Sequence, residues 1–172
     1  HMFPLFGINA DYRLGDLQTL YAGWSQAYRP VIFKDIIPGS LLEKSDKSLK
    51  DAQGYNLEAG YRGTAGSFRW DLGIFRVQYN HRLGNQAIQQ DSNFYIFRTN
   101  IGNSVTQGVE MFGEYSFKLS GPWRASVFTS TAYMDAKYED AAIRVGNENV
   151  DISGNKVESV PVWISRSGFT LK

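Results

Sequence analysis

Apolar residues recur at every second position through much of this sequence, and the pattern repeats along the chain. Successive side chains of a β-strand point to opposite faces, so a period of two is typical of a strand with one apolar face. The alternating runs lie over 6–14, 19–25, 55–62, 68–74, 105–119, 123–133 and, more weakly, 163–171. The pattern predicts an all-β fold of about seven to eight antiparallel strands.

The connections between these runs are short and long in strict alternation. Tight turns are predicted at 15–16, 64–66 and 120–122, where glycine stands beside turn-forming residues. Long segments that read as polar loops are predicted at about 29–54, 81–104 and 136–160. Outer-membrane barrels have short turns on one side and long loops on the other. The alternation therefore favours an up-and-down transmembrane β-barrel.

Periodicity alone leaves open which solvent contacts the apolar face. A soluble antiparallel sandwich also alternates apolar and polar residues, with the apolar face against a second sheet. The run over 105–119 is about fifteen residues long, whereas strands of soluble proteins usually have about three to ten. A membrane strand needs about nine to eleven residues plus extensions beyond the bilayer. The membrane barrel is favoured, and a soluble antiparallel β binding or adhesion module is the alternative.

Composition excludes several other classes of protein. Lys and Arg number 18 against 17 Asp and Glu, and this balance argues against a nucleic-acid-binding protein. The sequence has no Cys, which excludes disulfides and thiolate metal sites. His81 is the only histidine apart from His1, so neither a histidine metal cluster nor a Ser-His-Asp triad is available. We expect no enzymatic activity, no cofactor and no metal site.

The polar positions of the alternating runs carry charges of both signs. If the apolar set faces lipid, these charges face inward, which requires a wide, wet interior or a polar plug. A barrel of about eight strands has an interior just wide enough for side chains. The chain is therefore predicted to be a segment of a larger barrel. The inward charged residues would be Asp11, Arg13, Glu58, Arg62, Arg69, Asp71, Glu110, Glu114, Lys118 and Arg124.

Four sequence segments resemble one family in order and spacing. They are "LYAGWSQAYRPV" at 20–31, "YNLEAGYRG" at 55–63, "FRWDLGIFRVQYNHRLGNQ" at 68–86 and "NIGNSVTQGVEMFGEYSF" at 100–117. These segments resemble strand motifs of TonB-dependent outer-membrane receptors. The run "VPVWISRSGF" at 160–169 lies where this family opens another strand. In its details the sequence is similar to the ferric-citrate branch of the family.

The resemblance implies a barrel of about 22 strands filled by an N-terminal plug domain. Residues 1–2 read as a cloning scar, and 3–172 as a partial barrel domain that lacks the plug and the C-terminal strands. The resemblance places the parent protein in the outer membrane of a Gram-negative bacterium, in contact with lipid. The TonB–ExbB–ExbD complex would supply energy through the plug.

The resemblance also implies a function, the uptake of ferric citrate or a ferric siderophore. Extracellular loops would bind the chelate, and the barrel would form the translocation path. Bidentate arginines and amide donors suit the carboxylate oxygens of an anionic chelate. The candidate ligand-binding residues are Arg29, Lys34, Gln86, Gln89, Gln90 and Arg98.

The run at 20–31 predicts where the second strand leaves the membrane. Trp24 and Tyr28 would lie near the outer interface, where amphipathic aromatic rings are favoured. Arg29 would mark the exit into water, and Pro30 would end the hydrogen-bond ladder.

Overall fold

A computed structural model describes residues 3–90, 93–145 and 148–172. No helix among them is long and apolar enough to cross a membrane. The described residues form ten strands and one helical turn. They are β1 (Gly7–Arg13), β2 (Gln18–Arg29), α1 (Phe33–Ile36), β3 (Glu43–Ser45), β4 (Ala52–Ala65), β5 (Phe68–Gln90), β6 (Asn93–Lys118), β7 (Arg124–Glu139), β8 (Ala142–Val145), β9 (Glu148–Asp151) and β10 (Trp163–Leu171).

Seven strands form one antiparallel sheet in the order β1-β2-β4-β5-β6-β7-β10. Strands that are neighbours in this sheet are also consecutive along the chain, if the short strands β3, β8 and β9 inside the connections are left out. The short strand β3 joins as an eighth member, parallel to β6 through Glu43 and Ile96. The predicted antiparallel up-and-down segment of seven to eight strands is confirmed. All three long connections lie at one end of the sheet, the loop end, and the tight turns lie at the opposite turn end.

The strand register collects the alternating apolar residues on one side of the sheet, which we call the apolar face. Leu20 of β2, for example, lies opposite Tyr12 on one side and Tyr61 on the other. Large side chains remain exposed on this face, including Ile74 at 60 % and Trp163 at 62 %. No second sheet covers the face in the described residues, unlike the apolar face of a sandwich. The opposite side, the polar face, carries the predicted set of charged residues.

The three tight turns occur where glycines were expected to allow them. Gly15, Gly66 and Gly121 have φ angles of 80°, 57° and 72°. Residues with a Cβ rarely adopt this left-handed conformation, so glycine is the favoured residue at each turn.

The long connections differ from the predicted polar loops. Residues 81–104 are not a loop, because β5 continues to Gln90 and β6 begins at Asn93. Register shifts between Tyr79 and Leu83 interrupt the alternation, which therefore does not continue into this hairpin. The connection after β2 contains α1 and β3, and it exposes Phe33 at 77 % and Leu41 at 96 %. The connection after β7 contains the separate β8–β9 hairpin.

A small hydrophobic core lies at the loop end of the sheet. Tyr138 belongs to the polar face, because it lies opposite Ser104 of β6. Residues from the connection after β7 cover it. The core consists of Ile101, Ala136, Tyr138, Ala141, Ile152 and Val157. The third long connection is therefore packed back onto the polar face of the sheet.

Candidate ligand-binding site at the loop end

The part of the β5–β6 hairpin beyond the register shifts, 82–90 with 93–102, is here named the loop-end hairpin. The side chains of adjacent strand residues point to opposite faces. Asn85 and Gln86 therefore contact two different partners. Asn85 accepts a hydrogen bond from Nε of Arg98 at 3.2 Å. Gln86 accepts one from the backbone N–H of Arg144 at 2.9 Å and reaches the carbonyl of Ala142 at 3.4 Å. Gln86 thus attaches the connection after β7 to the hairpin.

Asp35, in the helical turn α1, joins the connection after β2 to Arg29 at the end of β2 and to Arg98 of β6. It is only 5 % exposed. Nη2 of Arg29 lies 3.2 and 3.1 Å from its two carboxylate oxygens, and Nη1 of Arg98 lies 3.4 Å from Oδ1. The backbone N–H of Ile32 donates to Oδ2 at 3.1 Å. We call this arrangement the Asp35 clasp.

The electrostatics of the clasp favour an ionised carboxylate. Burial alone would raise the pKa of Asp35, because desolvation disfavours the charged form. Hydrogen bonds from Ile32 and Arg29, with the positive charges of Arg29 and Arg98, outweigh burial and hold the pKa below its ordinary value. Asp35 therefore remains charged at neutral pH.

Further hydrogen bonds attach the rest of the same connection to the loop-end hairpin. Asp46 accepts from the hydroxyl of Thr99 at 2.9 Å, and hydrogen bonds from Ser48 hold the pKa of its carboxyl below the ordinary value. The side-chain amide of Asn100 donates to the carbonyl of Lys50 at 3.0 Å and accepts from its N–H at 2.8 Å. The connection is therefore fastened along its length.

The structure places three of the sequence-predicted ligand residues together. Arg29 and Arg98 meet at Asp35, and Lys34 is the neighbouring residue, whose carbonyl accepts from Nη1 of Arg98 at 2.9 Å. The side chain of Lys34 is exposed.

The other three predicted residues follow one another along β5. Gln86 contacts the connection after β7, and Gln89 is exposed near the hairpin tip. Gln90 ends β5, and its side chain lies outside the described part of the structure.

Asp35 and Asn100 are the residues that sequence reasoning missed. The clasp joins Asp35 to Arg98 across 63 positions of the chain, and no local pattern indicates such a contact. One local signal was available: Asp35 stands three residues after Ile32, the spacing at which an acidic side chain accepts a backbone N–H at the start of a helical turn.

Several charged residues of the polar face, between the loop end and the turn end, are paired across strands. Arg62 lies 3.2 Å from Asp11, and Arg69 lies 2.7 Å from Glu114. The hydroxyl of Tyr21 donates to Asp71 at 2.8 Å. Pairing of this kind makes the face hydrophilic without giving it a large net charge, which suits a wall in contact with water or a polar domain.

Comparison with known proteins agrees with this architecture. The family model described as "TonB dependent receptor-like, beta-barrel" matches residues 2–171. Comparison of the sequence with curated proteins gives no match.

The solved structures that resemble the chain include the following three. "Copper transporter OprC" aligns with a TM-score of 0.58 and 17 % identity over 78 % of this chain and 20 % of that one. "The FrpB iron transporter from Neisseria meningitidis (F3-3 variant)" aligns with a TM-score of 0.57 and 17 % identity over 80 % and 20 %. The siderophore receptor PirA from Pseudomonas aeruginosa aligns with a TM-score of 0.55 and 19 % identity over 78 % and 27 %.

At these identities the likeness shows the fold alone, and the chain spans about a fifth to a quarter of each solved protein. The family model covers nearly all of the sequence, and the observed sheet has the topology of the barrel that it describes. The chain belongs to the TonB-dependent receptor-like β-barrel family.

Proposed function

We propose that the chain is part of the barrel of an outer-membrane receptor that takes up ferric citrate or a ferric siderophore. The family match over residues 2–171 carries this proposal. FrpB and PirA, which are described as an iron transporter and a siderophore receptor, support iron over other cargo. OprC, described as a copper transporter, makes copper the control cargo in any transport assay.

Aromatic residues at both ends of the apolar face support a place in a membrane. Trp24, Tyr133 and Trp163 lie toward the loop end, and Trp70 and Tyr115 lie toward the turn end. Barrels have aromatic girdles at both interfaces around an apolar band about 25 Å tall. On β7 the apolar face runs from Ala125 to Tyr133, about 27 Å along the strand. A strand tilt of about 40° reduces this to a height of about 21 Å.

We further propose that the chain is one segment, 3–172, of a longer receptor with a plug domain and additional strands. The polar face would line the interior and contact the plug, through which TonB–ExbB–ExbD would supply energy. The receptor would reside in a Gram-negative outer membrane, with its loop end outside the cell. It would transport its ligand without catalysing a reaction.

Within the loop end, the six candidate residues divide into two roles. The side chains of Lys34 and Gln89 are exposed and lie outside the clasp, so we propose that they face the chelate, together with Gln90 beside the hairpin tip. Arg29, Arg98 and Gln86 would contribute mainly by holding the connections in place, because the Asp35 clasp and the β8–β9 hairpin engage them.

Spin labels test the membrane placement. The chain has no Cys, so Trp24→Cys and Lys34→Cys each give a single labelling site within it. We expect the label at position 24 to be accessible to oxygen dissolved in the lipid. The label at position 34 should instead be accessible to a water-soluble relaxation agent. The reverse order would contradict the proposed placement.

Substitution of exposed loop-end residues tests the ligand site. Lys34→Gln combined with Gln89→Ala should weaken binding of ferric dicitrate or a ferric siderophore by about tenfold, which corresponds to about 1.4 kcal/mol. Lys118→Gln, at the turn end, is the matched control and should bind normally. Equal binding by the unchanged protein, the double variant and the Lys118→Gln control would show that the side chains of Lys34 and Gln89 do not contact the ligand. Uptake of copper in place of iron would overturn the proposed cargo.

A further inference from the structure

The connection after β2 is attached to the loop-end hairpin by polar contacts and leaves its apolar side chains exposed. In the helical turn α1, Asp35 is buried against its arginines, whereas Phe33 and Ile36 are exposed. These two residues are three positions apart, which places their side chains on the same side of a helical turn. Leu41, farther along the connection, is exposed as well. Large apolar side chains therefore contact solvent on a segment that is held in place.

The loop-end hairpin extends this apolar surface. Phe94, at 67 % exposed, and Ile96 lie on the same face of β6 as Arg98, because side chains two positions apart in a strand point to the same side. Nη1 of Arg98 donates to the carbonyl of Lys34 at 2.9 Å, and the N–H of Ile96 donates to the carbonyl of Leu42 at 2.8 Å. The two elements therefore present one surface, here named the apolar patch, which consists of Phe33, Ile36, Leu41, Phe94 and Ile96.

Positive charge predominates beside the apolar patch. Arg29 and Arg98 share the single carboxylate of Asp35 in the clasp. Lys34, next to Asp35 in the chain, adds a third positive charge, and its side chain is exposed. A surface that is both apolar and positively charged is complementary to a molecule that is both apolar and anionic.

The helical turn lies on the same side of the sheet as the polar face. Arg29 follows Tyr21 by eight positions on β2, so the side chains of both residues point to the polar face. Arg29 binds Asp35 and thereby holds the turn on this side. In the proposed barrel the polar face is turned inward, so the apolar patch borders the mouth of the barrel, where a ligand enters.

We propose that the apolar patch binds an apolar substituent of the transported ferric chelate, while Lys34 and the arginines of the clasp attract the anionic part that holds the iron. The preferred ligand is then an amphiphilic, anionic siderophore rather than ferric citrate, whose surface is polar throughout. Contact with the substituent removes apolar surface from water on both partners, which favours binding. The assignment rests on the proposed function and specifies the class of chelate within it.

A matched pair of chelators tests the apolar patch. Citrate monomethylamide and citrate monohexylamide bind ferric iron through the same carboxylate and hydroxyl oxygens and differ only in the length of the alkyl group. The receptor is placed in nanodiscs, so that no detergent competes for the patch, and bound radioactive iron is measured by equilibrium dialysis. We expect the hexyl complex to bind about tenfold more tightly than the methyl complex, because part of the longer chain is buried. Equal affinity for the two complexes would overturn the proposal.

Substitutions in the patch locate the effect. Phe33→Ser combined with Phe94→Ser should abolish the preference for the hexyl complex and leave binding of the methyl complex nearly unchanged. Phe33→Leu combined with Phe94→Leu keeps both positions apolar and should retain the preference. Val145→Ser, which removes an exposed apolar side chain of β8 outside the patch, is the matched control and should behave as the unchanged protein. A preference that survives in the serine variant, or that is lost in the control, would contradict the assignment to this patch.

An iron-free competitor distinguishes the chelate from other amphiphiles. Metal-free citrate monohexylamide should displace the ferric hexyl complex only weakly, because it lacks the anionic iron centre. Displacement as strong as that by the ferric complex would show that the patch binds amphiphiles in general, and would overturn the assignment to a chelate.

Failure of this inference is distinguishable from failure of the proposed function. A receptor that binds the methyl and hexyl complexes equally well contradicts only the role of the apolar patch. A receptor that neither binds nor takes up any ferric chelate contradicts the proposed function, and this inference with it.

Discussion

Replacement of Gly54 by alanine is expected to prevent most of the protein from reaching its folded state. A Cβ atom at position 54 would lie 1.8 Å from the carbonyl oxygen of Gln78 and 2.9 Å from its carbonyl carbon. Both are backbone atoms of β5, in the ladder that pairs Gly54 with Tyr79. No side-chain rotation can relieve the overlap, so β4 and β5 must separate locally.

The cost of this separation has two parts. Overpacking a well-packed site typically costs about 1–3 kcal/mol, and each ladder hydrogen bond lost costs about 0.5–1.5 kcal/mol. The folded fraction, measured by the heat-dependent shift in gel mobility that folded barrels show, should fall several-fold. The apparent melting temperature of the remainder should fall as well.

Gly113→Ala is the matched control for this substitution. A Cβ at position 113 would meet the ring of Phe68 at 3.5 Å, an ordinary van der Waals contact. This variant should fold as the unchanged protein does. Equal folding of the Gly54 and Gly113 variants would contradict the close approach of β4 to β5.

Asp35→Asn is expected to release the connection after β2 from the loop-end hairpin. The variant keeps the shape of the side chain but removes the charge that Arg29 and Arg98 share. Loss of charge-assisted hydrogen bonds at a buried site costs about 1–3 kcal/mol. Amide exchange in residues 30–51 should accelerate by about tenfold or more. Asp16→Asn, the same change in the turn-end segment between β1 and β2, should leave this exchange unchanged.

The clasp should also respond to acid, and the direction follows from the lowered pKa of Asp35. A carboxyl whose pKa is lower when folded contributes stability above its ordinary pKa of about 3.9 and loses it as the pH falls through the folded value. A spin label at Leu41→Cys should therefore become mobile only well below pH 4. In the Asp35→Asn background the label should already be mobile at pH 7. Identical pH profiles in both backgrounds would show that Asp35 does not hold this connection.

Much of the sheet could be predicted from the sequence, because the information is local. The alternation of Leu20, Ala22 and Trp24 with polar neighbours reports one apolar face, whatever the strand pairs with. Gly66 indicates its turn because few other residues adopt its backbone conformation. The order of the seven strands then follows from short turns and long connections that alternate.

The loop end could not be predicted in the same way. The loop-end hairpin lacks the alternation of apolar and polar residues. The connection after β2 and the connection after β7 both pack against it, so it has no single apolar face. No local pattern shows that Arg29 and Arg98 share one buried carboxylate, whereas the side chains of Lys34 and Gln89 are exposed.

The class of fold, the apolar face and the turn positions can be predicted from the chain alone, since each depends on neighbours within a few residues. Long-range packing settles which loop residues are exposed and which hold the loops together. That distinction depends on contacts such as Asp35 with Arg98, across 63 positions of the chain. The tertiary structure also brings Arg76 of β5 to within 3.9 Å of the carboxylate of Glu139 on β7, because the strand register places charges that are distant in the sequence close together.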